Sequence, residues 1–117
     1  MTSCTKNPCI GLWKGGRNND VAEVRLLIEK DGTCELESYP HGEKIAISEI
    51  NKYTYYGNWH QETENTIAIE FFRGKHTIGY NSTDVQKTPV AYFRSDGALW
   101  IDNKSFKLPD YNMIKKR

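Results

Sequence analysis

The sequence predicts an all-β fold: a single closed or nearly closed antiparallel up-and-down barrel of about eight strands. Three observations carry that expectation. Apolar and polar residues alternate with a period of two through most of the chain, the rhythm of a half-buried strand. Turn-forming residues interrupt that rhythm at short spacing, as consecutive hairpins require. Aromatic residues make up 12% of the chain and fall mostly inside the alternating runs, where a few rings can fill a small barrel.

The elements follow in order. Gly11-Leu12-Trp13 opens the first strand, which ends at Gly15-Gly16 and the Asn18-Asn19-Asp20 turn. In the second, Val24, Leu26 and Ile28 alternate with Glu23, Arg25, Leu27 and Glu29. After Asp31-Gly32, Cys34 and Leu36 face inward while Thr33, Glu35 and Glu37 face out, up to Pro40-His41-Gly42. Glu43 to Asn51 is where a helix competes, but its isoleucines favour extended backbone, so a strand or a short irregular turn is expected. Tyr53 to Gln61 then places Tyr53, Tyr55, Gly57 and Trp59 on one face, and Gly57 marks a bulge or sharp bend. Ile67, Ile69 and Phe71 alternate with Thr66, Ala68, Glu70 and Phe72, and His76, Ile78 and Tyr80 continue as one face. Asn81 to Thr88 is the longest polar connection and a candidate mouth loop. Val90, Tyr92 and Arg94 oppose Ala91, Phe93 and Ser95, and either set could face inward. A last hairpin turns at Asp96-Gly97 into Leu99 and Ile101, which oppose Ala98 and Trp100. Both Asp-Gly pairs suit two-residue turns with positive φ at both positions.

At 117 residues the chain is one domain's worth. It divides into a flexible head (1–9), the barrel (10–108) and a basic, solvated tail (109–117) ending in Lys115-Lys116-Arg117. Sixteen basic against fifteen acidic residues leave a formal charge of +1, which argues against a nucleic-acid binder. No apolar run approaches the ~20 residues of a membrane-spanning helix. Three cysteines, Cys4, Cys9 and Cys34, are an odd count for a closed disulfide framework; Cys4 and Cys9 could bridge, or all three could be reduced. With Met1 as the start, no secretory signal is present and the expected location is the cytoplasm. Met1-Thr2-Ser3-Cys4 also looks like a lipoprotein processing site, so an upstream start would make Cys4 a lipid anchor.

Gly11-Leu12-Trp13 resembles the Gly-x-Trp opening of the calycin group, and is most similar to the compact lipocalin-like domains of bacterial lipoproteins. Lys30-Asp31-Gly32-Thr33, Tyr56-Gly57-Asn58-Trp59 running into Ile67-Ala68-Ile69, and the Phe93 to Trp100 hairpin extend the resemblance over most of residues 10 to 108. It implies an eight-stranded barrel in which Trp13 packs across one end as a structural residue. A basic residue from a late strand should stack on it, here Arg94 or Lys107.

Nothing in the residues specifies an enzyme; one built in the barrel mouth would need His76 or His60 beside a carboxylate within hydrogen-bond reach. The three histidines, His41, His60 and His76, lack metal-ligand spacing, and no nucleophile elbow or phosphate loop is present. No metal, no cofactor and no catalytic residue are expected. The expected function is a non-enzymatic binding module whose barrel holds a small amphipathic or aromatic ligand. Its candidate ligand-binding residues are Tyr53, Tyr55, Trp59, His76, Tyr80, Tyr92 and Arg94: rings with polar tips, plus two groups able to meet an anion. In Tyr55-Tyr56 and Phe71-Phe72 one ring must point outward, so Tyr56, Phe72 and Trp100 are candidates for a partner surface. The alternative function is thus a protein-binding inhibitor or immunity-type protein with an exposed aromatic face, or a homodimer formed through it.

Overall fold

The computed structural model describes residues 7–16, 22–42, 46–102 and 108–116. Among these lie nine strands: β1 (Gly11–Gly16), β2 (Glu23–Ile28), β3 (Thr33–Tyr39), β4 (Asn51–Gln61), β5 (Thr66–Ile78), β6 (Asn81–Asp84), β7 (Val90–Arg94), β8 (Ala98–Ile101) and β9 (Tyr111–Lys115). Every pairing is antiparallel, in the order β4-β3-β2-β1-β9-β8-β7-β5-β6. A further β4–β5 pairing closes the ribbon into an eight-stranded up-and-down barrel, with β6 as an extra strand on the far half of β5.

Register explains which residues fill the interior. Directly opposed residues on antiparallel neighbours share a face. The chain of partners Gly15–Val24, Trp13–Leu26, Leu26–Leu36 and Leu36–Tyr55 runs around one side, and Trp59–Ile69, Ile67–Phe93, Phe93–Leu99 and Leu99–Tyr111 around the other. Met113 opposite Gly15 joins the two. Val24, Leu26, Ile28, Leu36, Ile67, Ile69, Phe93 and Leu99 are all buried in this core. Full burial of each aliphatic or Phe side chain stabilises the fold by about 1.5–3 kcal/mol. The β4–β5 register shifts between Tyr56 and Gly57, the bend the sequence marks at Gly57.

One end of the barrel is plugged. The Trp13 indole is 4% exposed, meets Phe93 edge to face at 4.8 Å between centroids, and donates Nε1–H to the Cys9 carbonyl at 2.9 Å. Among the described residues a cation over Trp13 comes from Lys115 and not from Arg94: Lys115 Nζ lies 5.7 Å from the ring centroid and donates to the Pro8 carbonyl. Arg94 instead stacks over Trp100, and Lys107 lies outside the described residues.

Several sequence expectations are corrected here. The 109–117 segment is not a frayed tail, because β9 within it pairs with both β8 and β1 and completes the barrel. Cys9, assigned to a flexible head, is fully buried and packs in the core; residues 1–6, Cys4 included, lie outside the described residues. Cys9 and Cys34 are buried free thiols. The segment before β4 contributes a single 3-10 turn, Ile47–Glu49, with 43–45 outside the described residues. Half of the expected mouth loop is β6. At the two Asp-Gly turns only the glycines have positive φ, 94° at Gly32 and 103° at Gly97. Gly32 N–H bonds Glu29 O and Gly97 N–H bonds Arg94 O, so each is a type I turn followed by a left-handed glycine. In both, the aspartate Oδ1 accepts the next backbone N–H but one, from Thr33 and Ala98.

Candidate functional site: the open mouth of the barrel

Opposite the Trp13 plug, the interior opens into a cavity of about 350 Å³. Strand alternation supplies its walls: Val24 from β2, Leu36 and Ser38 from β3, Tyr53 and Tyr55 from β4, and Tyr111 from β9. Ile101, Asp102 and the Lys87-Thr88-Pro89 stretch ahead of β7 complete the rim. Among the described residues the site is apolar in its depth and carries phenols, hydroxyls and two opposite charges toward water. That is the composition of a pocket that buries an apolar body and orients a polar head.

Tyr53 and Tyr55 are successive inward residues of β4, and their rings lie parallel, 4° apart in plane and 6.3 Å between centroids. His76, the cross-strand partner of Tyr53, stacks on it at 4.1 Å, and its Nε2 lies 2.8 Å from Asn51 Oδ1. The histidine therefore backs the ring wall rather than lining the cavity. Burial pushes the Tyr55 phenol above its ordinary pKa, and the neighbouring Tyr53 and the Asp102 carboxylate add to the shift. Asp102 follows β8 with φ 54°, the single left-handed non-glycine among the described residues. Its N–H donates to Val90 O at 2.8 Å and its Oδ1 accepts Val90 N–H at 3.0 Å.

Of the seven residues expected to touch a ligand, Tyr53 and Tyr55 line the mouth and His76 supports them. Trp59 packs at the plugged end, donating Nε1–H to Glu29 O at 2.8 Å. Tyr80 does not share the inner face: it follows the turn at Gly79 and is 83% exposed. Tyr92 and Arg94 point out of the barrel, because Ala91 and Phe93 are the inward residues of β7. Tyr92, Ala98 and Trp100 form a small cluster on the outer surface, with Ala68 packed against it. Trp100 was expected to be exposed on that surface, yet only 2% of it is; the Arg94 guanidinium lies 5.1 Å from its ring centroid and is itself bound to Asp96 at 2.8 Å. An outer depression of about 500 Å³ beside this cluster is lined by Tyr92, Arg94, Trp100 and the Glu62–Thr66 turn. Phe72 is 64% exposed and Tyr56 half-buried; with Leu27 and Glu35 they border an outer groove of about 270 Å³.

The sequence reading does not single out Asp102, which lies just past β8, or Tyr111, which lies in the 109–117 segment. The alternation of Tyr111, Met113 and Lys115 was the available signal for the second. Among the described residues no three His, Cys, Asp or Glu side chains converge as a metal site would require, and no helix is long and apolar enough to cross a membrane. His60 and Glu62 approach to 3.3 Å, but both are well exposed and outside the barrel mouth.

Fold and site together define a closed eight-stranded antiparallel barrel, of the form calycins take, with one plugged and one open end. Comparison with protein-family models, curated proteins and solved structures finds no match.

Proposed function

We propose that the protein is a non-enzymatic, lipocalin-like binding module that holds one small amphipathic or aromatic ligand in the barrel mouth. The observation that carries this reading is the 350 Å³ cavity walled by Tyr53, Tyr55, Tyr111, Val24 and Leu36. A volume of ~300–1,000 Å³ suits a small organic molecule, and a few convergent hydroxyls give it orientation. Titration with the neutral fluorophore N-phenyl-1-naphthylamine tests it. The wild-type chain should enhance the probe's emission saturably, with one site per chain. Ser38→Trp, which adds an indole at the rim, should abolish the enhancement with the far-UV circular dichroism unchanged. No saturable binding to the wild type, or equal binding to S38W, would sink the proposal.

The alternative, a protein-binding inhibitor or immunity-type protein or a homodimer, draws support from the outer face. An exposed ring beside a groove is self-complementary about a twofold axis, so Phe72 of one copy could enter the Leu27–Tyr56 groove of another. Sedimentation of the wild type against a Tyr56→Ser/Phe72→Ser variant reads this directly: association lost in the variant supports it, and a wild type that stays monomeric at high micromolar concentration removes the homodimer.

A further inference from the structure

The charge carried by the ligand's head is the next question at the mouth, and the geometry of Asp102 bears on it. Among the described residues two charged side chains line the cavity, Asp102 and Lys87, and the structure holds them differently. Asp102 is fixed. Its left-handed backbone, its N–H bond to Val90 O and its Oδ1 bond from Val90 N–H leave the carboxylate little freedom at the rim. A charge held in place before the ligand arrives loses no side-chain entropy on binding. Both residues are exposed, so the difference lies in anchoring: Lys87 sits on the connection between β6 and β7, and its four-carbon stem can carry the ammonium into water.

The rings reinforce the same sign. Tyr53, Tyr55 and Tyr111 wall the cavity beneath Asp102. An aromatic face attracts a cation within about 6 Å of its centroid, the more strongly when water is excluded. Asp102 and Tyr55 line the same cavity, and the carboxylate adds to the upward push that burial gives the Tyr55 phenol. Val24, Leu36, Pro89 and Ile101 offer the apolar surface for the rest of the molecule.

We infer that the mouth takes an organic ammonium, an amine or quaternary ammonium on a ring-bearing or aliphatic body, with the cation between the Asp102 carboxylate and the tyrosine rings. The inference rests on the reading of the mouth as a ligand site and adds the chemical class of the ligand. Asp102 is the specificity-determining group, and Lys87 opposes it weakly from the rim.

Three probes of one shape and different charge test it by displacement of N-phenyl-1-naphthylamine: 2-phenylethylammonium, 2-phenylethanol and 3-phenylpropionate. The ammonium should bind about tenfold or more tightly than the alcohol, the scale of a desolvated ring–cation contact, and the carboxylate should bind most weakly. Asp102→Asn retains an oxygen for the Val90 N–H and a residue type tolerated at left-handed φ. On that variant the ammonium should fall to the affinity of the alcohol measured alongside it. Lys87→Ala should tighten ammonium binding by a few-fold. If the naphthylamine binds but the alcohol or the carboxylate equals or beats the ammonium, or none of the three displaces it, the ammonium assignment is overturned and the ligand site stands. If D102N keeps the wild-type preference, the assignment to Asp102 is overturned. If the naphthylamine itself fails to bind the wild type, the site reading falls first.

Discussion

Alanine at Gly32 and at Gly97 should separate backbone strain from loss of barrel closure, because the two glycines do the same job in different surroundings. Both follow a type I turn with φ near 100°, and both turns are tied by an aspartate to the strand that follows. A Cβ on Gly32 would meet nothing within 4 Å, so Gly32→Ala costs only the left-handed backbone, about 1–2 kcal/mol. A Cβ on Gly97 would sit 2.0 Å from the Met113 carbonyl oxygen, a backbone atom that no rotamer change can move. Relief requires β9 to shift away from the turn, and the Met113 N–H bond to Gly97 O, 2.8 Å in length, lies in the way. Losing that bond adds about 1 kcal/mol, and displacing Met113 and Tyr111 from the core adds a packing penalty of similar or larger size. The total for Gly97→Ala should exceed about 3 kcal/mol, a large share of the ~5–15 kcal/mol that holds a domain together. Urea unfolding followed by far-UV circular dichroism reads both variants. With an m-value of about 2 kcal/mol/M, Gly32→Ala should lower the midpoint by about 0.5–1 M and Gly97→Ala by about 1.5 M or more. Equal shifts would mean that β9 does not bear on Gly97, and the account of closure by the last strand would fail.

Two further predictions concern the plugged end and the thiols. Trp13→Ala removes a buried indole, its bond to Cys9 O and its contacts with Phe93 and Lys115, and should cost about 3–5 kcal/mol by the same assay; Lys115→Met should cost under about 1 kcal/mol, and a larger loss from Lys115 than from Trp13 would refute the indole as the anchor. Burial pushes the Cys34 thiol up to about 12 and the Cys9 thiol up to about 11, so native protein at pH 8 should react with 5,5′-dithiobis(2-nitrobenzoic acid) at these two sites only after unfolding; a fast native reaction assigned to Cys34 by peptide mapping would contradict its burial. Because the folded values lie above the unfolded thiol value, their contribution is complete below about pH 8.5 and declines as the pH rises toward 11–12, by up to about 1.4 kcal/mol per pH unit for each thiol. Cys9→Ala/Cys34→Ala should therefore show a shallower loss of unfolding free energy between pH 9 and 11 than the wild type, and parallel curves would refute the linkage.

How much of this was legible in the sequence depends on how many faces each strand buries. β2 and β3 read cleanly because one face meets the core and the other meets water, so Val24, Leu26, Ile28, Cys34 and Leu36 stand out by alternation alone. β7 did not, because it buries both faces: Ala91 and Phe93 lie in the barrel, and Tyr92 belongs to the outer cluster with Ala98 and Trp100. With rings on both sides the period of two carries no sign and leaves the inner face open; Tyr92 and Arg94, candidates for the ligand wall, lie on the outer face. Tyr80 failed for a different reason. Alternation extrapolates a face along a strand, but β5 outruns the barrel wall, pairs with β6 beyond it, and ends at the Gly79 turn where φ is 57°. A phase carried past that turn has no physical meaning.

The candidate site was half legible for a reason rooted in barrel geometry. Period-two patterning names the inward residues of each strand, and Tyr53 and Tyr55 were found that way. It does not say which end of the barrel is plugged, because that follows from the stagger between strands and from what folds across each end. Here the Asn7–Ile10 segment crosses one end, where Cys9 N–H bonds Asn7 Oδ1 and Ile10 N–H bonds Asn7 O, and its carbonyls receive Trp13 and Lys115. Filling that end lets the partly buried Trp59 pack against the core and leaves Tyr53 and Tyr55, the earlier residues of the same strand, at the mouth. Asp102 is then a mouth residue because β8 runs toward the open end and stops there. The residue to which the ammonium proposal is assigned thus lies where strand patterning ends, and its signal is conformational: an aspartate at φ 54°, clamped by both polar groups of Val90.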